Sequence, residues 1–160
     1  MGRSIDGLFD DDTEYTGPDL TPRMIADAEQ GLGVALPAAY LDLLRVRNGG
    51  SLLRCVFATP FPTSWDDDNF EVRAILGIGG EDGIDAPEGG SRYLIEEWGY
   101  PPIGVVFAVC PSGGHDTVML DYAKLNGGGE PTVAYVDEDR IPRTVADGFE
   151  AFVAGLRARA

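Results

Sequence analysis

The residue types most suited to catalysis lie around the only histidine in the chain, His115. Cys110 lies five positions before it and Asp116 follows it directly, so the three side chains have the types of a nucleophile, a base and an orienting carboxylate. Five residues across a turn rich in Pro and Gly rarely align a thiol with its base. A His-Asp metal site would need further histidines that the chain lacks. We therefore expect a buried thiol beside a turn histidine, and no catalytic residue.

Two further motifs have the residue types of ion sites but not the required pattern. Asp66-Asp67-Asp68-Asn69 offers carboxylates, but an EF-hand loop needs a glycine at its sixth position and a glutamate at its twelfth, where this chain has Glu71 and Gly77. The glycines of the 77–80 segment are followed by two acids instead of Lys-Ser or Lys-Thr, which disfavours a phosphate loop. We expect an exposed acidic loop and a turn, with no cofactor and no metal; weak incidental cation binding is the alternative at the first.

Charge is the strongest compositional signal. The chain has 27 acidic and 12 basic residues, a net charge of -15. Phosphates demand clustered Lys and Arg, so this balance argues against nucleic-acid and anionic-membrane partners and favours a basic protein. Residues 1–20 carry a net -5 and residues 62–97 a net -8, which leaves only -2 for the rest. Solubility is the alternative explanation of the charge, but it would not require such concentration.

The partner-binding face is therefore predicted in the mid-chain acidic stretch, with help from the acidic N-terminal arm. Trp65 and Trp98 both have the features of core or rim residues, but Trp65 stands beside the acidic run and is the candidate interface anchor. The candidate binding residues are Trp65, Asp66, Asp67, Asp68, Glu71, Glu81, Asp82, Asp85 and Glu88.

The elements that must position these residues are helices at both ends of the chain and strands between them. Thr21-Pro22 is typical of a helix start, and Asn48-Gly49-Gly50 supplies left-handed residues to end a second helix. A closing helix is predicted from Val145 through Leu156. Strands are predicted at 52–58, 72–78, 103–109, 117–120 and 132–136, with a short helix or turn at 92–98. The fold class expected is α+β, with a twisted, mostly antiparallel sheet and helices at the N- and C-terminal ends.

The length of 160 residues predicts one domain, here residues 21–160 behind an arm at residues 1–20. The N-terminus leads into acid instead of an apolar signal core, so a cytoplasmic location is expected. Cys55 and Cys110 each adjoin a valine in a predicted strand, which favours buried free thiols over a disulfide. One lysine against eleven arginines, with abundant Ala and Gly, hints at a bacterial source.

The order of these elements resembles the SUKH superfamily of Smi/Knr-type domains. A glutamate-bearing helix at 25–29 leads through Leu36-Pro37 to a second helix ending in Asn48-Gly49-Gly50, as in the family's opening. Residues 113–121 are similar to the family's Gly-Asp strand pair, with His115 inserted between glycine and aspartate, and residues 133–138 and 149–152 are similar to its next strand and closing helix.

The resemblance implies an α+β binding module with no established catalytic residues. In bacteria it implies frequent service as an immunity protein against polymorphic toxins, many of them nucleases. A toxin–immunity role, in which the acidic surface binds a basic toxin domain, is the function expected first. A regulatory or scaffold adaptor of the same fold is the main alternative, and a metal-dependent or small-ligand enzyme ranks third.

Overall fold

A computed structural model of the chain describes Ile5 and residues 7–159. That part of the chain forms four helices, all of them short, and nine strands. The helices are α1 (Pro22–Leu32), α2 (Ala38–Val46), α3 (Ser91–Trp98) and α4 (Phe149–Gly155). The strands are β1 (Gly50–Ser51), β2 (Arg54–Ala58), β3 (Asn69–Glu71), β4 (Ala74–Ile75), β5 (Gly104–Val109), β6 (Thr117–Leu125), β7 (Pro131–Val136), β8 (Pro142–Ala146) and β9 (Arg157–Ala158).

The strands form two sheets in which every described pairing is antiparallel. The larger has the order β1-β4-β5-β6-β7-β8, and the smaller has the order β3-β2-β9. Strand β7 is buried along its whole length, as expected of a strand covered on both faces. The predicted α+β class with a mostly antiparallel sheet is confirmed.

Helix α1 begins where the sequence predicts. Thr21 has extended backbone angles and its side chain accepts a hydrogen bond from the Met24 N–H at 3.2 Å, while Pro22 occupies the first turn. The helix ends at Gly33, whose φ of 73° is left-handed. Ala28 is fully buried and directs this helix onto the core.

Several predicted bounds are wrong, and some strands were not predicted. The predicted strand at 72–78 pairs only over Ala74–Ile75, the predicted strand at 117–120 extends to Leu125, and β1, β3, β8 and β9 were not predicted. Strand β3 places one buried phenylalanine, Phe70, between two half-buried polar residues, so it has too few apolar positions to stand out beside the acidic loop. Val145, predicted in the closing helix, lies in β8, and α4 begins at Phe149.

The core is built around aromatic side chains of α2, α4 and the sheet. Tyr40 and Phe149 meet edge to face with ring centroids 5.1 Å apart, and Phe57 stacks on Phe152 at 4.8 Å. Cys55 and Cys110 are buried and free, as predicted. Burial is the main cause that raises the pKa of both thiols, which disfavours the reactive thiolate form.

Described residues of the acidic arm are packed against the domain. Leu8 is fully buried, and its carbonyl accepts the N–H of Leu53 at 2.8 Å. The Arg47 guanidinium donates to the carbonyls of Asp10 at 2.7 Å and Asp12 at 2.5 Å. The arm therefore contributes to the core and holds a fixed course, while the domain boundary at residue 20 remains a prediction. Among the described residues, none of the helices has the length and apolar character needed to cross a membrane.

Candidate binding surface

The turn that joins β5 to β6, residues 110–116, is fixed from beneath by Asp116. This carboxylate is 2% exposed and accepts hydrogen bonds from the hydroxyls of Ser112 and, at 2.5 Å, Tyr135. Burial raises the pKa of Asp116, and the hydrogen bonds from Ser112, Tyr135 and Trp65 oppose that rise. Its partners lie in the turn, in β7 and on the Trp65 loop, so this side chain positions the turn against both.

Two exposed tryptophans flank this turn. The Trp65 ring lies edge-on to the His115 ring, with centroids 6.3 Å apart. The Trp98 ring packs over Gly114, where a Cβ atom would come within 3.0 Å of the indole. Trp65 is 48% and Trp98 43% exposed, far more than large aromatic side chains of a core. The turn and the two rings together present aromatic area to solvent.

Arg140 fastens the turn to the end of helix α3. Its guanidinium donates to the carbonyls of Trp98 at 3.0 Å, His115 at 2.7 Å and Gly114 at 3.2 Å. It also lies 4.6 Å from the centre of the Tyr100 ring, a cation–π distance. The backbone of Arg140 has a φ of 62°, a left-handed conformation that costs energy for a non-glycine residue. These contacts hold Trp98 and the turn as one unit.

The loop that carries Trp65 is ordered by hydrogen bonds within the loop and by one to the residue that follows β7. The Ser64 N–H donates to the Asp137 carboxylate at 2.8 Å, and the Thr63 N–H donates to the Asp66 carbonyl at 2.8 Å. At the far side of the loop, the Thr59 N–H donates to the Asp68 carbonyl at 2.8 Å. The indole of Trp65 is thus presented by an ordered loop, which favours recognition because little entropy is lost on binding.

Three open depressions meet at Pro111, which lines all of them. The first, of about 200 Å³, lies beside Trp65; the second, of about 380 Å³, lies beside Trp98; the third, of about 430 Å³, runs to the acidic arm. We call the area they cover the Pro111 surface. Its lining includes Asp10, Asp12, Tyr15, Trp65, Asp66, Glu71, Arg73, Trp98, Tyr100, Pro111, Asp116 and Arg159.

A fourth depression continues the acidic area from Tyr15, which also lines the second. It is lined by Glu14, Glu81 and Asp82, among others. Burial, followed by the charges of Glu81 and Glu14, raises the pKa of Asp82. The depression therefore brings acids of the arm and of the 79–83 loop together, although the two segments lie far apart in the sequence.

Most of the acid on and beside the Pro111 surface has no basic partner. Arg73 pairs with Glu14 at 3.1 Å, and Arg159 pairs with Glu71 at 2.5 Å. Within the described part of the chain, no ion pair engages the exposed acids of the two loops, namely Asp66, Asp67, Asp68, Glu81 and Asp82. The uncompensated charge creates a negative potential over a surface that also exposes two indole rings.

Residues 19–155 match the model of the SMI1 / KNR4 family (SUKH-1). The chain belongs to this family. The match covers most of the chain and confirms the resemblance drawn from the order of the sequence motifs. SUKH-1 domains are immunity-protein-like and non-enzymatic as a family. A comparison with curated proteins gave no match.

The structure of this SUKH-1 domain brings some of the predicted binding residues together and separates others. Trp65, Asp66 and Glu71 line one depression, with Asp67 and Asp68 exposed on the same loop. Glu71 is half-buried and bound to Arg159, which reduces the charge it presents. Glu81 and Asp82 adjoin the arm, as described above.

Two predicted binding residues lie apart from the Pro111 surface. Asp85 accepts a hydrogen bond from the Gly79 N–H at 2.9 Å and lines a separate depression with Asp27 and Arg92, between α1 and α3. Glu88 is exposed in the segment that leads to α3. Any role for these two acids would require a partner that extends beyond the Pro111 surface.

Sequence analysis missed several residues of the surface. Trp98 was assigned to core or rim, although its place directly before the helix-ending Gly99 was a signal that it could lie outside the core. The sequence gives no indication that Tyr100, Pro111 or Arg140 belongs to this surface, because the role of each depends on contacts with residues distant in the sequence. His115, considered for catalysis, is mostly exposed, and its Nδ1 lies 3.3 Å from a carboxylate oxygen of Glu138. No group of acidic, histidine or cysteine side chains suited to a metal ion occurs in the described residues.

Proposed function

We propose that this SUKH-1 protein is a bacterial immunity protein that binds and neutralises a basic toxin domain through the Pro111 surface. The observation that carries the proposal is the convergence of uncompensated acid from the arm, the Trp65 loop and the 79–83 loop around two exposed tryptophans. Family membership supports a binding role over an enzymatic one.

The two components of this surface serve different parts of the binding process. Unpaired carboxylates attract a basic partner over a distance set by the Debye length, about 8–10 Å at physiological salt, and so raise the association rate. Exposed indoles such as Trp65 and Trp98 supply apolar area that slows dissociation once water is excluded. A surface with both is suited to rapid and durable capture.

A nuclease is the toxin class that this surface fits best. A nuclease is basic where it holds the phosphates of its substrate, so a concentrated acidic surface would cover that cleft by imitating phosphate. The carboxylates of Asp66, Asp67 and Asp68 on one exposed loop resemble the closely spaced charges of a nucleic-acid strand. Neutralisation then follows from occlusion and requires no chemistry by the immunity protein.

The test is to ask whether a toxin domain encoded by a neighbouring gene is captured by this protein, and then to measure association rates over a salt series. Replacing Asp66, Asp67 and Asp68 by Asn is expected to slow association several-fold at low salt and to leave the melting temperature unchanged, since exposed carboxylates contribute little to stability. The effect should fade as salt rises.

The matched control removes the same number of charges at the opposite end of β6. Glu130, Asp147 and Glu150 are exposed there or beside it, and Asn126 donates to the Asp147 carbonyl at 2.7 Å, which ties that region together. The triple change Glu130→Gln, Asp147→Asn and Glu150→Gln should leave association close to wild type. Equal slowing by both triple changes would mean that total charge, and not the Pro111 surface, governs binding. Capture of a non-toxin partner would favour the adaptor role.

A further inference from the structure

We propose that the depression beside Trp65 receives an arginine side chain of the partner, which would make this depression the anchor point of the complex. The inference rests on the proposed function for the existence of a basic partner and adds the chemistry by which that partner is recognised. The argument uses the size of the depression, the groups that line it and the charge beneath it.

The size fits one side chain. The volume is about 200 Å³, whereas pockets for drug-sized ligands hold about 300–1,000 Å³. Trp65 forms one wall and Phe70 another, and Pro111 lies between this depression and the next. An extended chain end or a nucleotide would not be enclosed, but a single long side chain would bury most of its length.

The lining offers an aromatic face and two carboxylates. Only one oxygen of each carboxylate takes part in a hydrogen bond among the described residues. The Oδ1 atom of Asp66 accepts the Asp67 N–H at 2.7 Å, and the Oε1 atom of Glu71 accepts from Arg159 at 2.6 Å. The second oxygens, Oδ2 of Asp66 and Oε2 of Glu71, can accept hydrogen bonds from a ligand.

Asp116 lies at the base of the depression and adds negative charge there. Its carboxylate accepts hydrogen bonds from the uncharged Ser112 and Tyr135 hydroxyls, and the Trp65 side chain is a further hydrogen-bond partner. Its backbone N–H donates to the Ser112 Oγ at 3.1 Å. Within the described residues, no cation pairs with it. A ligand cation would therefore enter a site where negative charge is present on the rim and beneath the floor.

These features select a guanidinium over other groups. An anion would be repelled by the carboxylates, and an apolar side chain would bury them without a hydrogen bond, which is unfavourable. A lysine ammonium is a strongly hydrated point charge, whereas the planar guanidinium stacks on an indole and presents donors in a fork that matches carboxylate oxygens. The combination of Trp65 with Asp66 and Glu71 suits arginine best.

The test uses wild-type protein and needs no toxin. The two indole N–H resonances of the protein are assigned with the Trp98→Phe variant, and the wild type is then titrated at constant ionic strength with N-acetyl-arginine amide. The lysine analogue and the neutral citrulline analogue serve as matched ligands. We expect saturable shifts of the Trp65 indole, with arginine binding at least about tenfold more tightly than citrulline and more tightly than lysine.

Two variants separate a built pocket from a general acidic field. Asp66→Asn removes a carboxylate that lines the depression, and Asp67→Asn removes the neighbouring one, which does not line it. Asp66→Asn should weaken arginine binding several-fold more than Asp67→Asn. Equal effects of the two changes, or equal binding of arginine and citrulline, would overturn the arginine anchor. If salt-dependent capture of a basic toxin persisted in that case, the proposed function would stand without this anchor; if arginine bound but no toxin were captured, the pocket would stand without the function.

Discussion

Asn48 and Ile78 exchange two hydrogen bonds: the Asn48 Nδ2 donates to the Ile78 carbonyl at 2.8 Å, and the Ile78 N–H donates to the Asn48 Oδ1 at 2.8 Å. The same Nδ2 donates to the Pro18 carbonyl at 2.7 Å. Asn48 is only 4% exposed. One side chain therefore joins the end of helix α2 to the acidic arm and to the segment that leads into the 79–83 loop, the two places where acid converges.

Asn48→Ala is expected to destabilise the protein by about 2–4 kcal/mol, because it leaves buried backbone groups of Ile78 and Pro18 without partners. Asn48→Asp keeps the acceptor for the Ile78 N–H but turns a carboxylate toward two carbonyl oxygens, so it should cost at least as much. Urea unfolding measures both. A loss below about 1 kcal/mol for the alanine variant would contradict the role given to this side chain.

Gly49 and Gly33 form a matched pair for a second prediction. Both have left-handed backbones, with φ of 87° and 73°. A Cβ at Gly49 would lie 2.6 Å from the Gly77 nitrogen and 2.8 Å from the Tyr15 carbonyl oxygen, whereas a Cβ at Gly33 meets nothing within 4 Å. Gly33→Ala should cost about 1–2 kcal/mol of strain, and Gly49→Ala clearly more because backbone atoms must move.

Comparison of the two glycine variants removes the entropy of the unfolded chain, which changes equally in both. Thermal and urea unfolding are the measurements. If both variants lost the same free energy of unfolding, the close approach of Gly77 and Tyr15 to Gly49 would not contribute to the cost of the substitution.

The Asn48-Gly49-Gly50 segment illustrates what sequence can predict. A glycine with positive φ was predicted in this segment from a local rule for helix ends, and Gly49 has a φ of 87°. Helix α2 ends earlier, at Val46, and its cap residue Arg47 is extended, so Gly49 shapes the turn after the helix and does not close the helix itself. The bonds from Asn48 to Ile78 could not be predicted, because the partner lies 30 residues away and backbone groups have no sequence signature. Local backbone conformation could be predicted from the sequence, whereas the hydrogen-bond partners of a buried polar side chain depend on the tertiary fold.

The same distinction applies to the candidate site. Counting charge by segment identified the arm and the mid-chain stretch, and the structure places Glu14 beside Asp82. The charge count could not predict that Asp85 accepts from the Gly79 N–H in a separate depression, or that Trp98 lies over Gly114, since both depend on tertiary packing. The sequence located the acid, and packing decided which of it shares a surface.

A third prediction concerns the attachment of the arm, for which Arg47 and Arg45 form a matched pair at the end of α2. Arg47 donates to the Asp10 and Asp12 carbonyls and to the Thr16 hydroxyl at 3.1 Å. Arg45 makes one exposed ion pair, with Asp42 at 2.9 Å. Arg47→Ala should cost about 1.5–3 kcal/mol, whereas Arg45→Ala should cost about 0–1 kcal/mol.

Hydrogen exchange gives a local readout of the same change. Arg47→Ala should speed the exchange of the Asp10 N–H, which donates to the Ser51 carbonyl at 3.1 Å. Arg45→Ala should leave that amide as protected as in the wild type. Unchanged protection in both variants would show that Leu8 and the backbone bonds hold the arm without Arg47.

The last prediction concerns Asp116 and pH. Burial raises the pKa of this carboxyl above its ordinary value of 3.8, so the folded state holds the proton more tightly than the unfolded state does. The stability that this group contributes is therefore full at low pH and declines as pH rises from about 3.8 through the folded-state pKa. Urea unfolding of the wild type and of Asp116→Asn between about pH 3 and 7 isolates that contribution, because the other carboxylates cancel in the difference. The free energy of unfolding of the wild type should fall relative to that of the variant as pH rises through this window.

Asp139 supplies a control of opposite sign, since its hydrogen bond with Arg143 lowers its pKa. The stability advantage of the wild type over Asp139→Asn should be present above pH 3.8 and disappear as pH falls below it. A wild-type advantage over Asp116→Asn that grows with pH would mean that the hydrogen bonds from Ser112, Tyr135 and Trp65 outweigh burial at this carboxylate.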